Sequence, residues 1–125
     1  MRRALALSVL SAAFLTAVLA PRFASSEGEA VRNFTVANIE YKGSKVWVPG
    51  TLIAKKGETV KIKLINNTPS GKHGFAIDAV GVKAEVAADG QPALVEFKAA
   101  EAGLFTIYCQ LHPAHIGGQL LVLEK

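Results

Sequence analysis

Apolar and polar positions alternate along most of the chain that follows residue 30. The clearest case is Val60-Lys61-Ile62-Lys63-Leu64, where the apolar residues share one face and the lysines share the other. A period of two residues is typical of a half-buried β-strand. Similar segments predict strands at residues 33–41, 46–54, 74–80, 93–97, 104–109 and 118–123.

Turn-forming residues separate these segments at short intervals. They are Lys56-Gly57, Asn66-Asn67-Thr68-Pro69, Asp89-Gly90 and Ala102-Gly103. About seven to eight short strands with this spacing predict an all-β fold, a Greek-key β-sandwich. The best candidate for a helix, residues 82–88, is too short and too mixed in character to predict one. With no repeat or internal linker, residues 27–125 are expected to form a single domain.

The first 26 residues have the pattern of a secretory signal peptide. Arg2 and Arg3 precede the apolar stretch 4–20, and the small residues Ala24, Ser25 and Ser26 follow it. Cleavage after residue 26 would export the domain to the periplasm or the medium. An uncleaved membrane anchor is the alternative, because the apolar stretch is close to the lower length limit of a spanning helix.

Removing the signal changes the charge of the protein. The full chain has a net charge of +4, and the signal contains three arginines but no acidic residue, so the charge falls to about +1. The remaining lysines are dispersed and are not interleaved with aromatic residues. This distribution argues against a nucleic-acid partner.

The candidate chemistry is concentrated near the end of the chain. The only cysteine, Cys109, is followed by His112 and His115, and the remaining histidine, His73, lies far away in sequence. A thiolate with imidazoles is the donor set of copper electron-transfer sites, although zinc accepts the same ligands. Structural zinc sites usually use paired Cys-x2-Cys or His-x3-His units, which are absent here. The spacing therefore favours copper.

Two other interpretations of these residues remain open. Cys109 and a histidine would suit a cysteine nucleophile with its base, but the segment before Cys109 reads as a strand, with no helix N-terminus to lower the thiol pKa. A buried, inert cysteine with surface histidines is the simpler alternative. Export favours a bound thiol, because an unpaired cysteine is prone to oxidation in an oxidising compartment.

These residues resemble the cupredoxin family of small copper proteins. The resemblance rests on His73 after the run 66–69, on the run 103–109, on His112 and on the closing strand 118–123. It implies one copper ion, cycling between Cu(I) and Cu(II), with His73, Cys109 and His112 as ligands. Gln110 and Asn67 are candidates for hydrogen bonds that orient these ligands.

The fourth ligand is expected to depart from the usual pattern. The spacing resembles the short amicyanin-type ligand loop, in which the fourth donor is methionine, but the only methionine here is Met1. His115 takes that position, with Gln119 or no axial donor as alternatives. A strong imidazole donor would weaken the bond between copper and the thiolate, which predicts a red or green site of lowered potential.

Within the family, the runs 74–82 and 109–113 resemble the red copper proteins of the nitrosocyanin type. His73 stands where those proteins have a glutamate ligand, which makes the site more similar to ordinary electron-transfer cupredoxins. Single-electron transfer between periplasmic redox partner proteins is the function that the resemblance implies. Small-molecule binding or catalysis at an open copper position is one alternative, and copper sequestration or delivery is another.

Overall fold

The computed structural model describes residues 28–124, which form nine β-strands and a single 3-10 turn at Asp78–Val80. The predicted signal peptide lies outside these residues. Among the residues that the structure describes, no helix is long and apolar enough to cross a membrane. The strands are β1 (Val31–Tyr41), β2 (Ser44–Val48), β3 (Thr51–Lys55), β4 (Thr59–Asn66), β5 (Lys72–Ile77), β6 (Val82–Ala87), β7 (Ala93–Lys98), β8 (Gly103–Ile107) and β9 (Gly118–Leu123).

One layer of the fold is a four-stranded sheet in the order β2-β1-β4-β7. β1 and β4 are parallel neighbours, with Phe34 beside Ile62, and β4 pairs antiparallel with β7. Val60, Ile62 and Leu64 are buried, whereas the lysines between them are exposed. The alternation predicted for β4 is therefore confirmed, and it fixes which face of this sheet packs on the core.

The second layer combines a three-stranded sheet, β3-β9-β8, with the hairpin β5-β6. Two backbone hydrogen bonds between Ala76 and Tyr108, of 2.8 and 3.0 Å, join the hairpin to the end of β8. The core between the layers contains Trp47, Phe75, Leu52 and Leu120, all at most 1% exposed. The predicted all-β sandwich is thus confirmed.

Two predicted strands are corrected by the structure, and a third segment, for which no helix was predicted, is a strand. The segment 46–54 is two strands, because the chain leaves the first sheet after Val48, turns at Pro49-Gly50 and enters the second sheet as β3. The predicted strand 74–80 ends at Ile77 and continues as the 3-10 turn. The weak helix candidate 82–88 contains strand β6, which pairs along its length with β5. Pairing with a neighbouring strand outweighs local propensity in this segment.

The sandwich has two ends, and the long strand β1 connects them. Val31 pairs with Thr59 at one end, and Asn38 pairs with Asn66 near the other. Seven residues of extended chain span about 23 Å. At the first end, Glu58 accepts two hydrogen bonds from the Arg32 guanidinium, of 2.8 and 3.1 Å, and one of 2.8 Å from the Lys55 backbone N–H.

These bonds predict an acid-dependent loss of stability. Hydrogen bonds from Arg32, followed by the one from Lys55, hold the pKa of Glu58 below its ordinary value of 4.5. Such a group stabilises the folded state above its unfolded pKa, and the contribution is lost as the pH falls through the lower, folded pKa. We expect urea unfolding of Glu58→Gln to lose part of the pH dependence below pH 4.5. An unchanged profile in this variant would contradict the assignment.

Candidate metal centre

Three of the predicted ligands converge at the second end of the sandwich. His73 lies on β5, Cys109 follows the end of β8, and His112 lies in the loop that leads to β9. One donor atom from each of these residues lies within 4.8 Å of the other two. Cys109 and His112 are close because they are three residues apart in sequence. The hydrogen bonds between Ala76 on β5 and Tyr108 after β8 bring His73 to them from a distant part of the chain.

The donor atoms of this group are suited to hold a metal. His73 is only 2% exposed, yet neither of its ring nitrogens has a hydrogen-bond partner. Buried polar atoms without partners are rare and call for an explanation such as an ion. The Cys109 Sγ lies 3.6 Å from His112 Nδ1 and is buried, whereas His112 itself is exposed. A metal ion between the three donors would satisfy the orphaned imidazole.

The electrostatic surroundings favour the ligating form of the imidazole. Burial lowers the pKa of His73 below 6.5, and the nearby charges of His115, His112 and Lys45 lower it further. Burial is also the main cause that lowers the pKa of His115. Both imidazoles are therefore neutral at neutral pH. The neutral ring is the form that binds metals.

The fourth predicted ligand, His115, lies beside the group of three but is not a member of it. Its ring centroid is 5.3 Å from that of His73, and it stacks on Trp47 at 5.9 Å. His115 Nδ1 is 2.9 Å from the Ile116 carbonyl oxygen, and Nε2 is 2.9 Å from Asn38 Oδ1. Because a carbonyl oxygen only accepts, Nδ1 carries a proton and Nε2 holds the lone pair in the neutral ring.

Gly74 connects strand β5, which contains His73, to the segment that contains Cys109. Its N–H donates to Cys109 Sγ at 3.1 Å, and its carbonyl oxygen accepts from Trp47 Nε1 at 2.9 Å. The Gln110 amide lies against the Gly74 Cα and donates through Nε2 to the Ala84 carbonyl oxygen at 2.9 Å. The two peptide groups on either side of the Gly74 Cα are thus each held by one hydrogen bond, and the first of them points its N–H toward the sulfur.

The close approach of Gln110 predicts the effect of a methyl group at position 74. A Cβ on Gly74 would lie 2.1 Å from Gln110 Oε1, so Gly74→Ala must displace this amide from its bond to Ala84. We expect a loss of about 1–3 kcal/mol in the free energy of unfolding. In Gly74→Ala/Gln110→Ala the alanine methyl has space, so urea unfolding should show the double variant to be no less stable than Gln110→Ala. Additive losses would contradict this packing.

Sequence reasoning identified the metal-binding residue types but missed several neighbours. Trp47 is part of the core, and it also contacts the site through Gly74 and His115. Asn38 was missed, although it is an amide at an inward position of β1 after Phe34 and Val36, which was the available signal. Gln110 contacts Gly74, as a supporting role would require. Asn67 and Gln119 are exposed, and Gln119 bonds to Thr51.

A pocket of about 320 Å³ opens onto the three imidazoles. It is lined by Gly43, Lys45, Ser70, Gly71, His73, His112, Ala114 and His115. The Cys109 sulfur does not line it. Small molecules therefore have access to the histidine side of the group, and the Cys109 sulfur is not exposed to them there.

The fold is similar to that of known copper proteins. A Cu-containing nitrite reductase from Thermus scotoductus SA-01 aligns at 22% identity with a TM-score of 0.62, over 77% of this chain and 28% of that one. Reduced auracyanin from Roseiflexus castenholzii aligns at 16% identity with a TM-score of 0.58, over 74% and 98% of the two chains. A copper binding protein solved in the apo form aligns at 22% identity with a TM-score of 0.57, over 75% of this chain and 89% of that one.

At these identities, the likeness establishes the fold alone. This chain spans less than a third of the length of the nitrite reductase. The comparison with curated protein sequences found no match.

The donor set and the family agree on the metal. One buried cysteine and two imidazoles on a β-sandwich support copper binding, because this is the ligand set of trigonal copper sites. The family profile described as "Cupredoxin-like domain" matches residues 8–122, which is most of the sequence. The β-sandwich and the group of His73, Cys109 and His112 agree with this match. The chain therefore belongs to the cupredoxin-like domain family.

Proposed function

We propose that the protein binds one copper ion through His73, Cys109 and His112 and transfers single electrons between partner proteins. Copper would supply a one-electron couple between Cu(I) and Cu(II). The observation that carries the proposal is the asymmetry of the group: His73 and Cys109 are buried, whereas His112 is exposed. A buried centre with one exposed imidazole edge exchanges electrons at that edge while its other ligands remain fixed by the sandwich.

The surface around His112 suits brief contacts with a partner. Leu111 and Ile116 are 38% and 52% exposed, and Pro113 and Ala114 are also exposed. The loop from Cys109 to Gly118 contains no Asp, Glu, Lys or Arg. A small, mostly apolar surface, beside which Lys45 is paired with Glu40, docks a partner without strong orientation by charge, which is compatible with rapid release.

We further propose His115 as the fourth donor and a red or green centre. Its Nε2 holds the lone pair and its ring lies beside His73, which supports this assignment. To reach the metal, Nε2 has to exchange its contact with Asn38 for the copper ion. An imidazole in this position favours Cu(II) and lowers the reduction potential.

The pocket on the histidine side supports a second candidate function. Its volume of about 320 Å³ is sufficient for a small molecule, and Lys45 lines it together with the three histidines. A copper ion with an open coordination position would bind such a molecule there, as in a nitrosocyanin-like site. The Lys45 ammonium group forms an ion pair with the Glu40 carboxylate at 3.3 Å, so its positive charge is compensated.

The proposed setting is the periplasm or the extracellular medium. It is supported by the signal-peptide pattern of residues 1–26. Export would place an unpaired thiol in an oxidising compartment, where copper ligation protects it.

Electron self-exchange of the copper-loaded protein, measured by NMR line broadening in mixtures of the two redox states, tests the proposed function. We expect fast exchange in the parent and a decrease of roughly tenfold in Leu111→Lys, because two like charges meet in the encounter of two copies. Leu104→Lys is the matched control, since Leu104 is also exposed but lies on β8 at the other end of the sandwich.

Two further measurements on the same copper-loaded protein, addition of a small ligand and addition of a chelator, distinguish electron transfer from small-molecule binding and from copper delivery. No exchange, together with a visible spectrum that changes on addition of a small ligand, would favour the pocket as the functional feature. Rapid loss of copper to a chelator would favour copper delivery. Equal slowing by Leu104→Lys and Leu111→Lys would contradict the docking surface.

A further inference from the structure

Asn38 is a buried amide with an incomplete set of partners. It is 0% exposed, its side chain faces His115 Nε2 at 2.9 Å, and its Nδ2 has no hydrogen-bond partner. A half-satisfied polar group in a core is destabilising compared with an apolar residue of similar shape. Leucine at this inward position of β1 would remove the unpaired Nδ2, but it would also leave His115 Nε2 without its protein partner. The asparagine is therefore best understood through its contact with His115.

The contact with His115 gives Asn38 a specific chemical role. His115 Nδ1 is committed to the Ile116 carbonyl, so the lone pair of the neutral ring is on Nε2. A lone pair that faced the Asn38 oxygen would be repelled, whereas a rotation of the amide by half a turn presents Nδ2 to it as a donor. Asn38 then occupies the same lone pair that a metal ion would use.

Among the residues that the structure describes, Asn38 is the one protein partner of His115 Nε2. Trp47 packs against one face of the ring at 5.9 Å, and the His73 ring lies 5.3 Å away. His115 is 8% exposed and lines the pocket beside the three imidazoles, so water reaches its ring only from that side. The ring is therefore held between the amide on one side and the His73, Cys109 and His112 group on the other.

We propose that Asn38 is a positioning residue that competes with the metal for His115 Nε2 and so decides how strongly His115 acts as the fourth donor. The inference rests on the proposed copper function. It adds a residue from β1, 77 positions away from His115, to the determinants of the centre. The colour and the reduction potential of the centre then depend on the strength of one hydrogen bond outside the three-ligand group.

Two variants at position 38 should act in opposite directions. Asn38→Leu removes the competing donor, which frees Nε2 for the metal. Asn38→Asp places a carboxylate there, which accepts a hydrogen bond from a protonated Nε2 and so removes its lone pair. If Asn38→Leu does not fold, Asn38→Ser replaces it in the test. The serine side chain is too short to reach the ring and so also leaves Nε2 free.

Visible absorption, EPR and the reduction potential of the copper-loaded variants provide the test. We expect Asn38→Leu to be farther from a blue centre and lower in potential than Asn38→Asp, and Asn38→Asp to resemble His115→Ala. In a His115→Ala background, Asn38→Leu should change neither spectrum nor potential. Asn33→Leu, at an exposed position of the same strand, is the control.

A measurement without metal separates this inference from the proposed function. Long-range proton-nitrogen NMR of the metal-free protein should show His115 Nε2 as unprotonated, with a nitrogen shift that moves in Asn38→Leu. A parent protein with no thiolate absorption band would overturn the copper function and this inference with it. A normal band that is unchanged in all variants at position 38 would overturn this inference alone.

Discussion

Replacing Cys109 by serine is expected to abolish the intense visible absorption of the copper-loaded protein. The band requires a thiolate bound to Cu(II), and Cys109 is the only cysteine in the chain. Serine has nearly the same shape, but its hydroxyl keeps its proton at neutral pH and is a poor ligand for copper. The measurement is a copper titration followed by visible absorption and EPR, with the parent protein prepared in parallel.

The same variant should also lose the stabilisation that copper gives to the fold. A ligand that binds only the folded state at a hundred times its dissociation constant stabilises by about 2.7 kcal/mol, which appears as a higher melting temperature. We expect this increase in the parent and a much smaller one in Cys109→Ser. Leu104→Ser is the control, because Leu104 is exposed and lies outside the group of three. Equal copper-induced increases in parent and Cys109→Ser would contradict a thiolate ligand.

Replacing Trp47 by alanine is expected to cause the largest loss of stability of any change considered. Trp47 is 1% exposed, packs edge-on against Phe75 at 5.4 Å, and stacks on His115. Removing such a buried aromatic side chain costs about 3–5 kcal/mol. Small domains have a total stability of about 5–15 kcal/mol, so urea unfolding should show a protein near the limit of folding.

Trp47→Phe separates packing from hydrogen bonding in this effect. Phenylalanine keeps an aromatic ring but has no N–H for the Gly74 carbonyl oxygen, which is left buried. The expected loss is about 1–3 kcal/mol from the unpaired group, with a further contribution from the smaller ring. The copper spectrum should change as well, because Gly74 also donates to Cys109 Sγ. Destabilisation with an unchanged spectrum would limit Trp47 to a role in packing.

Much of the fold could be predicted from local pattern. The alternation in β4 is visible because one face of its sheet is buried and the other is solvated. The predictions that failed concern segments where alternation does not carry the information. The single strand predicted at 46–54 is divided because the chain changes sheets there, and β6 depends on its pairing with β5.

The candidate site could be predicted only in part, for a similar reason. Cys109 and His112 are close in sequence, so their spacing carries the signal, and His73 was found because few histidines are present. Asn38 contacts His115 across 77 positions, and Trp47 contacts Gly74 across 27. Such contacts are set by the packing of two layers and leave no local pattern. The fourth-donor role of His115 stays a prediction, since both of its ring nitrogens contact protein oxygens in this structure.

The direction of β1 determines how the protein presents itself when it is attached to something else. The sandwich begins with β1 at Val31, next to the Arg32 and Glu58 pair, whereas His112 lies at the far end. A linker, a fusion partner or an electrode attached next to Val31 would therefore lie at the end opposite the His112 edge. Immobilisation through the amino terminus should preserve access for a dissolved redox partner, and immobilisation through the loop around Leu111 should block it.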